Sequence, residues 1–257
     1  MSAPGTKATR DVVDVDCTIT RIAVDGTLCE LQLDWPDAFK GVGAGQFALL
    51  ASLAPGAPIL PRPLSLVPRM DGALAIAFNI KAAGTQMLAA AQPGDRIALI
   101  GPLGNRFSAP AEPITIVVDA YHAGTMLALC HERRAAGYND RVLMVEDGPN
   151  PSDGPILAAF KATGAAVDYV PLASLSNALT RAAPAFIAAG AGNSAMSVSQ
   201  AYAARAEIPG EASLQAAMAC GLGVCKVCIH GTRGGPPLLV CEGPIFPLSQ
   251  PDFGEAA

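Results

Sequence analysis

Cys220-Gly221-Leu222-Gly223-Val224-Cys225-Lys226-Val227-Cys228, closed by Cys241 at the head of Cys241-Glu242-Gly243-Pro244-Ile245-Phe246, decides how the rest of the chain is read. Intervals of four, two and twelve residues separate the cysteines, and the first three carry the plant-type spacing of a [2Fe–2S] cluster. Two irons need four thiolates converging from one side. Gly221, Gly223 and Gly243 let the backbone bend closely enough for amide N–H groups to point at sulfur. Zinc sites usually show two Cys-x2-Cys pairs, whereas only Cys225 and Cys228 form one here; a disulfide is the remaining alternative. Cys220, Cys225, Cys228 and Cys241 are therefore the candidate metal ligands. Met218 reads as packing beside them, His230 as a surface residue and Lys226 as a solvated side chain. Cys17, Cys29 and Cys130 are isolated in apolar surroundings and read as small buried hydrophobes.

Upstream of this segment the chain changes character twice. Between residues 11 and 108, short Val, Ile, Leu and Thr runs at 14–24, 28–33, 46–53, 73–80 and 96–100 are cut by Gly, Pro and Asp. Such spacing predicts a small antiparallel barrel or sandwich, with Asp25-Gly26 as a hairpin turn. From 113 to 206, apolar strands at 114–118, 141–145, 166–170 and 185–189 alternate with helical stripes at 125–136, 156–162, 174–182 and 194–205. Strands alternating with helices predict a parallel sheet. From 213 to 250, Cys, Gly and Pro replace regular periodicity, as in a small domain built around metal. The expected fold is thus multidomain β plus α/β: an N-terminal antiparallel β-barrel, an α/β parallel-sheet domain and a small C-terminal [2Fe–2S] domain.

The 257 residues suffice for two compact domains and a small appendage. Although 51% of the residues are hydrophobic and 15% charged, no stretch of roughly 18 apolar residues runs without interruption, so no membrane span is expected. A net charge of −5 without a basic cluster interleaved with aromatics argues against nucleic acid as a partner. Residues 1–15 mix Lys7, Arg10, Asp11 and Asp14 with no apolar run. They do not read as a secretory signal, and a cytoplasmic location is the expectation.

Four segments of the first unit could serve a phosphate-bearing cofactor. Gly45-Gln46-Phe47 precedes a strand, Arg62-Pro63-Leu64-Ser65 opens another, and Lys81-Ala82-Ala83-Gly84-Thr85 leads into a helix; Gly101-Pro102-Leu103-Gly104-Asn105 follows. An Arg can clamp a diphosphate, a Ser hydroxyl can reach a ring edge, and backbone donors near Gly84 and Thr85 can face phosphate. Singly, each is equally well read as turn chemistry.

In this order, and followed by an α/β unit and the cysteines, the segments resemble the ferredoxin–NADP reductase superfamily. Over about residues 12 to 250 the chain looks like the electron-transfer subunits of type 1B dihydroorotate dehydrogenases. The resemblance implies FAD at Arg62, Pro63, Leu64, Ser65, Lys81, Gly84 and Thr85, with the diphosphate on Arg62, Gly84 and Thr85. Leu64 stands where relatives often place an aromatic, so aliphatic packing would replace stacking on the flavin. The resemblance also implies an oxidoreductase component in a hetero-oligomer with a catalytic FMN-containing TIM-barrel subunit, which oxidises dihydroorotate in pyrimidine biosynthesis.

The resemblance breaks where a nicotinamide cofactor, NAD(P), would bind. The glycine-rich turn expected after the first parallel strand is replaced by Asp119-Ala120-Tyr121-His122-Ala123-Gly124. Glycines there let backbone approach a pyrophosphate, whereas Tyr121 and His122 fill the space and Asp119 adds negative charge. Glu146-Asp147-Gly148 and Ala189-Gly190-Ala191-Gly192 depart as well. NAD(P) binding is therefore expected to be weakened or lost, and no residue forms a catalytic set. Three functions follow: a dihydroorotate dehydrogenase-like relay, a FAD/[2Fe–2S] relay that serves a different redox partner without NAD(P)H, and a non-redox assembly subunit.

Overall fold

A computed structural model describes residues 12–146 and 154–254. Six strands, β1 (Val13–Asp25), β2 (Leu28–Leu33), β3 (Phe47–Ser52), β4 (Arg62–Pro68), β5 (Leu74–Asn79) and β6 (Arg96–Leu103), close into an antiparallel barrel in the order β1-β2-β5-β4-β3-β6. Helix α1 (Ala83–Ala89) crosses between β5 and β6. β2 shows why the sequence folds this way: Cys29, Leu31 and Leu33 alternate inward, while outward Glu30 pairs with Arg69 at 2.6 Å. Burial pushes the Cys17 thiol up to about 11 and the Cys29 thiol up to about 12. Both are neutral core residues.

Five parallel strands follow: β7 (Thr115–Val118), β8 (Arg141–Glu146), β9 (Ala166–Pro171), β10 (Ile187–Gly190) and β11 (Gly210–Ser213). Antiparallel β14 (Ile245–Pro247) adds to β11, giving the order β14-β11-β10-β7-β8-β9. β7 and β10 are buried along their whole length, as expected when helices cover both faces of a parallel sheet. α2 (Ala123–Ala135) and α3 (Gly154–Ala162) contribute to one apolar cluster with β7 and β8. α4 (Leu175–Ala182) and α5 (Asn193–Ala206) contribute to another, which also takes in Phe47 and Leu49 of the barrel. The start of β7 is pinned by a buried pair the periodicity does not reveal. Arg133 Nε meets Asp140 Oδ2 at 2.5 Å, and Asp140 Oδ1 accepts the Ile114 N–H at 2.9 Å. Between β11 and β14 the chain makes a two-stranded ribbon, β12 (Ile229–His230) with β13 (Leu238–Leu239), and one 3₁₀ turn, Val240–Glu242. Among the described residues no helix is long and apolar enough to cross a membrane.

His131 on α2 is buried, and its Nδ1 has no hydrogen-bond partner. Burial, aided by the nearby Arg69 charge and opposed by Asp71, holds its pKa below the ordinary 6.5. The unfolded chain therefore binds this proton more readily. The contribution of His131 is intact above pH 6.5 and is lost as pH falls below that value toward the lower folded pKa. His131→Leu should flatten this decline, so that urea midpoints at about pH 5 and about pH 7.5 lie closer together than in the unaltered protein.

Candidate functional site

β4 carries the segment 62–65, and its neighbours decide what each residue can do. Arg62 lies directly on α1: a Cβ added to Gly84 would stand 2.1 Å from Arg62 Nε. The guanidinium thus occupies the space that any larger residue at 84 would fill. The two residues line one shallow, open cleft with Ser52, Pro58, Leu60 and Leu88. Such a cleft, with a guanidinium lying over a bare backbone, suits an anionic group.

Other candidates are placed differently. Leu64 is not an outward platform: it is 8% exposed and belongs to the barrel core with Leu66 and Leu88, because residues two apart on a strand share a face. The Thr85 hydroxyl is engaged locally, accepting the N–H groups of Lys81 at 2.9 Å and Ala82 at 3.1 Å. It shapes the turn into α1. Ser65 faces the sheet domain, its Oγ 2.6 Å from Thr125 Oγ1 of α2. Lys81 stacks its ammonium over Tyr121, 4.0 Å from the ring centroid.

The four motif cysteines lie on the loops around the β12–β13 ribbon. Cys228 and Cys241 are buried, Cys220 is half-buried and Cys225 is exposed. Backbone donors turn toward the sulfurs. Leu222 N–H and Cys225 N–H each point at Cys220 Sγ at 3.4 Å, Gly223 N–H at Cys241 Sγ at 3.2 Å and Cys241 N–H at Cys228 Sγ at 3.4 Å. The backbone N–H of Cys225, then that of Leu222, lowers the Cys220 thiol to about 6. Burial and then Cys228 push Cys241 up to about 12, the expected result when a second sulfur sits beside the first in an apolar setting; a bound cation would reverse it. Cys220 interacts with Cys225, and Cys241 with both Cys228 and Cys220. Among the described residues no three His, Cys, Asp or Glu side chains gather around one point as ligands of a single ion would. N–H donors turned toward the sulfurs of Cys220, Cys228 and Cys241 are what thiolate ligands of a metal group need.

The cysteine loops are fastened to the barrel. Gly221, at φ +66°, sits so close to Leu49 that a Cβ would meet Leu49 Cδ1 at 2.8 Å. Leu49 is the register partner of Pro63. Asn105 reaches across as well: its Nδ2 donates to Ile245 O at 2.7 Å, and its Oδ1 accepts the Ile245 N–H at 2.9 Å. Outward from the loops, Leu222, Val224, Val227 and Ile229 are exposed, Val224 to 80%.

The turn after β7 holds the residues singled out as departures. Asp119 and His122 are buried, and Asp119 Oδ1 lies 2.8 Å from His122 Nδ1. Gly192 donates its N–H to Asp119 Oδ2 at 2.8 Å. Asp147 and Gly148 lie outside the described residues.

No protein-family model matches the chain. It is 28% identical over 246 residues to the electron transfer subunit of dihydroorotate dehydrogenase B (NAD(+)) of Desulforamulus reducens, covering 86% of this chain and 90% of that protein. The corresponding subunit of Geobacillus kaustophilus is 25% identical over 79% of this chain and 84% of its own length. A solved NADH-dependent reduced ferredoxin–NADP oxidoreductase, described for flavin-based electron bifurcation, superposes with a TM-score of 0.75 at 18% identity, over 92% of this chain and 90% of that one.

Proposed function

We propose that this chain, a homologue of the dihydroorotate dehydrogenase B electron transfer subunits with the ferredoxin reductase type of fold, is an electron-transfer component carrying FAD and a [2Fe–2S] cluster. The observation that carries this reading is the contact of Gly221 with Leu49: the loop beside Cys220 rests on the strand paired with the segment Arg62–Ser65. Two redox groups held at these two places would be near neighbours. In this reading Arg62 binds the FAD diphosphate over Gly84, Ser65 lies toward the flavin edge, and Cys220, Cys225, Cys228 and Cys241 bind the irons. Both groups exchange electrons; the protein sets their spacing, burial and potential. Residues 11–108 would then serve as the FAD unit, 113–206 as the α/β unit and 213–250 as the cluster unit. The partner is a catalytic flavoprotein subunit of the FMN TIM-barrel type, facing the apolar rim of Leu222, Val224, Val227 and Ile229 around exposed Cys225.

The test is cofactor analysis of the protein purified with its partner under anaerobic conditions. About two irons and about two acid-labile sulfides per chain, with FAD, are expected. Dithionite should bleach both chromophores. Stoichiometric zinc in a colourless protein would overturn the reading.

A further inference from the structure

The order of the parallel strands reverses at β7: β8 and β9 lie on one side of it, β10 and β11 on the other. Open α/β sheets take their ligands in the crevice beyond the carboxyl ends of the strands at such a point, where backbone N–H groups meet phosphate. Here the crevice is spanned by the chain itself. Asp119 follows β7, and its Oδ2 accepts the N–H of Gly192, the residue that precedes α5. Its Oδ1 accepts the backbone N–H of His122 at 2.9 Å. The Asp119 N–H in turn reaches Gly190 O at the end of β10, at 3.4 Å. Although burial works against the charge, the hydrogen bonds and charge of His122, with the Gly192 N–H, hold the carboxyl below its usual range, so it stays an anion.

A second observation lies at the seam with the barrel, where a nicotinamide ring would have to reach the flavin. The start of α2 is packed straight onto β4 and β5. A Cβ at Gly124 would lie 2.5 Å from Ala77 O. Thr125 bonds Ser65, Asn79 Nδ2 donates to Ala120 O, and Lys81 covers Tyr121.

We propose that the α/β unit has no working site for a nicotinamide dinucleotide, because the Asp119 carboxylate supplies from within the chain the anion that a pyrophosphate would bring and takes the backbone donors of Gly192 and His122. The relatives named for NAD(+) and this chain then differ in the partner that exchanges electrons with the flavin. This deepens the FAD/[2Fe–2S] reading, yet its test does not depend on the flavin.

Equilibrium dialysis of the complex purified with its partner against NADH and NADPH reads binding directly. The unaltered protein should bind neither more tightly than about 1 mM; micromolar binding of either would overturn the proposal. Asp119→Ser, with Asp119→Asn as the variant that keeps side-chain shape should the first fail to fold, should bind NADH or inorganic pyrophosphate at least about tenfold more tightly than the unaltered protein. Equal binding by folded variants and unaltered protein would show that Asp119 is not what closes the site. A preparation without FAD would sink the cofactor reading alone, since dialysis does not read the flavin.

Discussion

Replacing Cys228 with Ser is expected to strip iron and sulfide from the protein while leaving its flavin in place. Cys228 is 2% exposed and lies beside Cys241, 4% exposed, whose N–H points at its sulfur. A serine oxygen is a harder donor that stays protonated at neutral pH, and burial makes its ionisation harder still. The four ligand positions are not interchangeable, however. Cys225 is exposed and its loop can adjust, so Cys225→Ser should give a labile site with reduced iron rather than none. In the proposed reading a bound cluster would also hold the loops together. Cys228, Leu238, Val240 and Cys241 share a cluster with Phe47 and Leu49, so these loops have no apolar core of their own. Proteolysis between residues 220 and 241 should therefore quicken in Cys228→Ser, because structural metal binding is folding free energy for a segment of this kind. The barrel, closed by its own strands, should keep FAD. Unchanged iron in Cys228→Ser would remove this residue from the ligand set.

Much of this arrangement is legible in the sequence because it is local. The 28–33 run matches β2, since inward and outward residues alternate over six positions. β7 and β10 read as strands because burial on both faces leaves only apolar residues. The cysteine spacing is legible for the same reason: three of the four candidate cysteines fall within nine residues. β11 and β14 escape because strands of four and three residues show no period. They also carry the sheet beyond residue 206, so the cysteine loops are an excursion from its edge.

What the sequence hides is long-range pairing. Asp119 stands out as a charge where glycine is expected, but nothing near it announces that Gly192, 73 residues away, would satisfy it. The fastening of Asn105 to Ile245 spans 140 residues. Leu64 illustrates a different limit. The resemblance implies aliphatic packing at the flavin for it, and only the structure shows that the alternation that makes β4 a strand also sets it beside Leu66 in the barrel core. Local capping logic would have found the role of Thr85, because a hydroxyl at the start of a helix prefers the backbone N–H groups just before it.

Gly84→Ala should cost the protein its flavin without costing it stability. Gly84 is in α1 and has no left-handed backbone requirement, so alanine is the better helix former there by about 1 kcal/mol. Its methyl, however, would lie 2.1 Å from Arg62 Nε and 2.9 Å from Cζ. The side chain is flexible and will move aside, which relieves the clash and removes the guanidinium from the cleft. Arg62→Ala removes it outright. Two charge-assisted hydrogen bonds to a diphosphate are worth about 3 kcal/mol together, or about 100-fold in FAD affinity. Gly84→Ala should approach that loss while the apo-protein melts no lower than the unaltered chain. Because both changes act on one group, the double variant should bind FAD no more weakly than Arg62→Ala alone, a coupling that independent sites would not show. Fluorescence titration of apo-protein with FAD measures all four corners of this cycle. Additive losses, or unchanged FAD affinity in Gly84→Ala, would mean that the diphosphate does not lie on this guanidinium, and the cleft between β4 and α1 would lose its assignment.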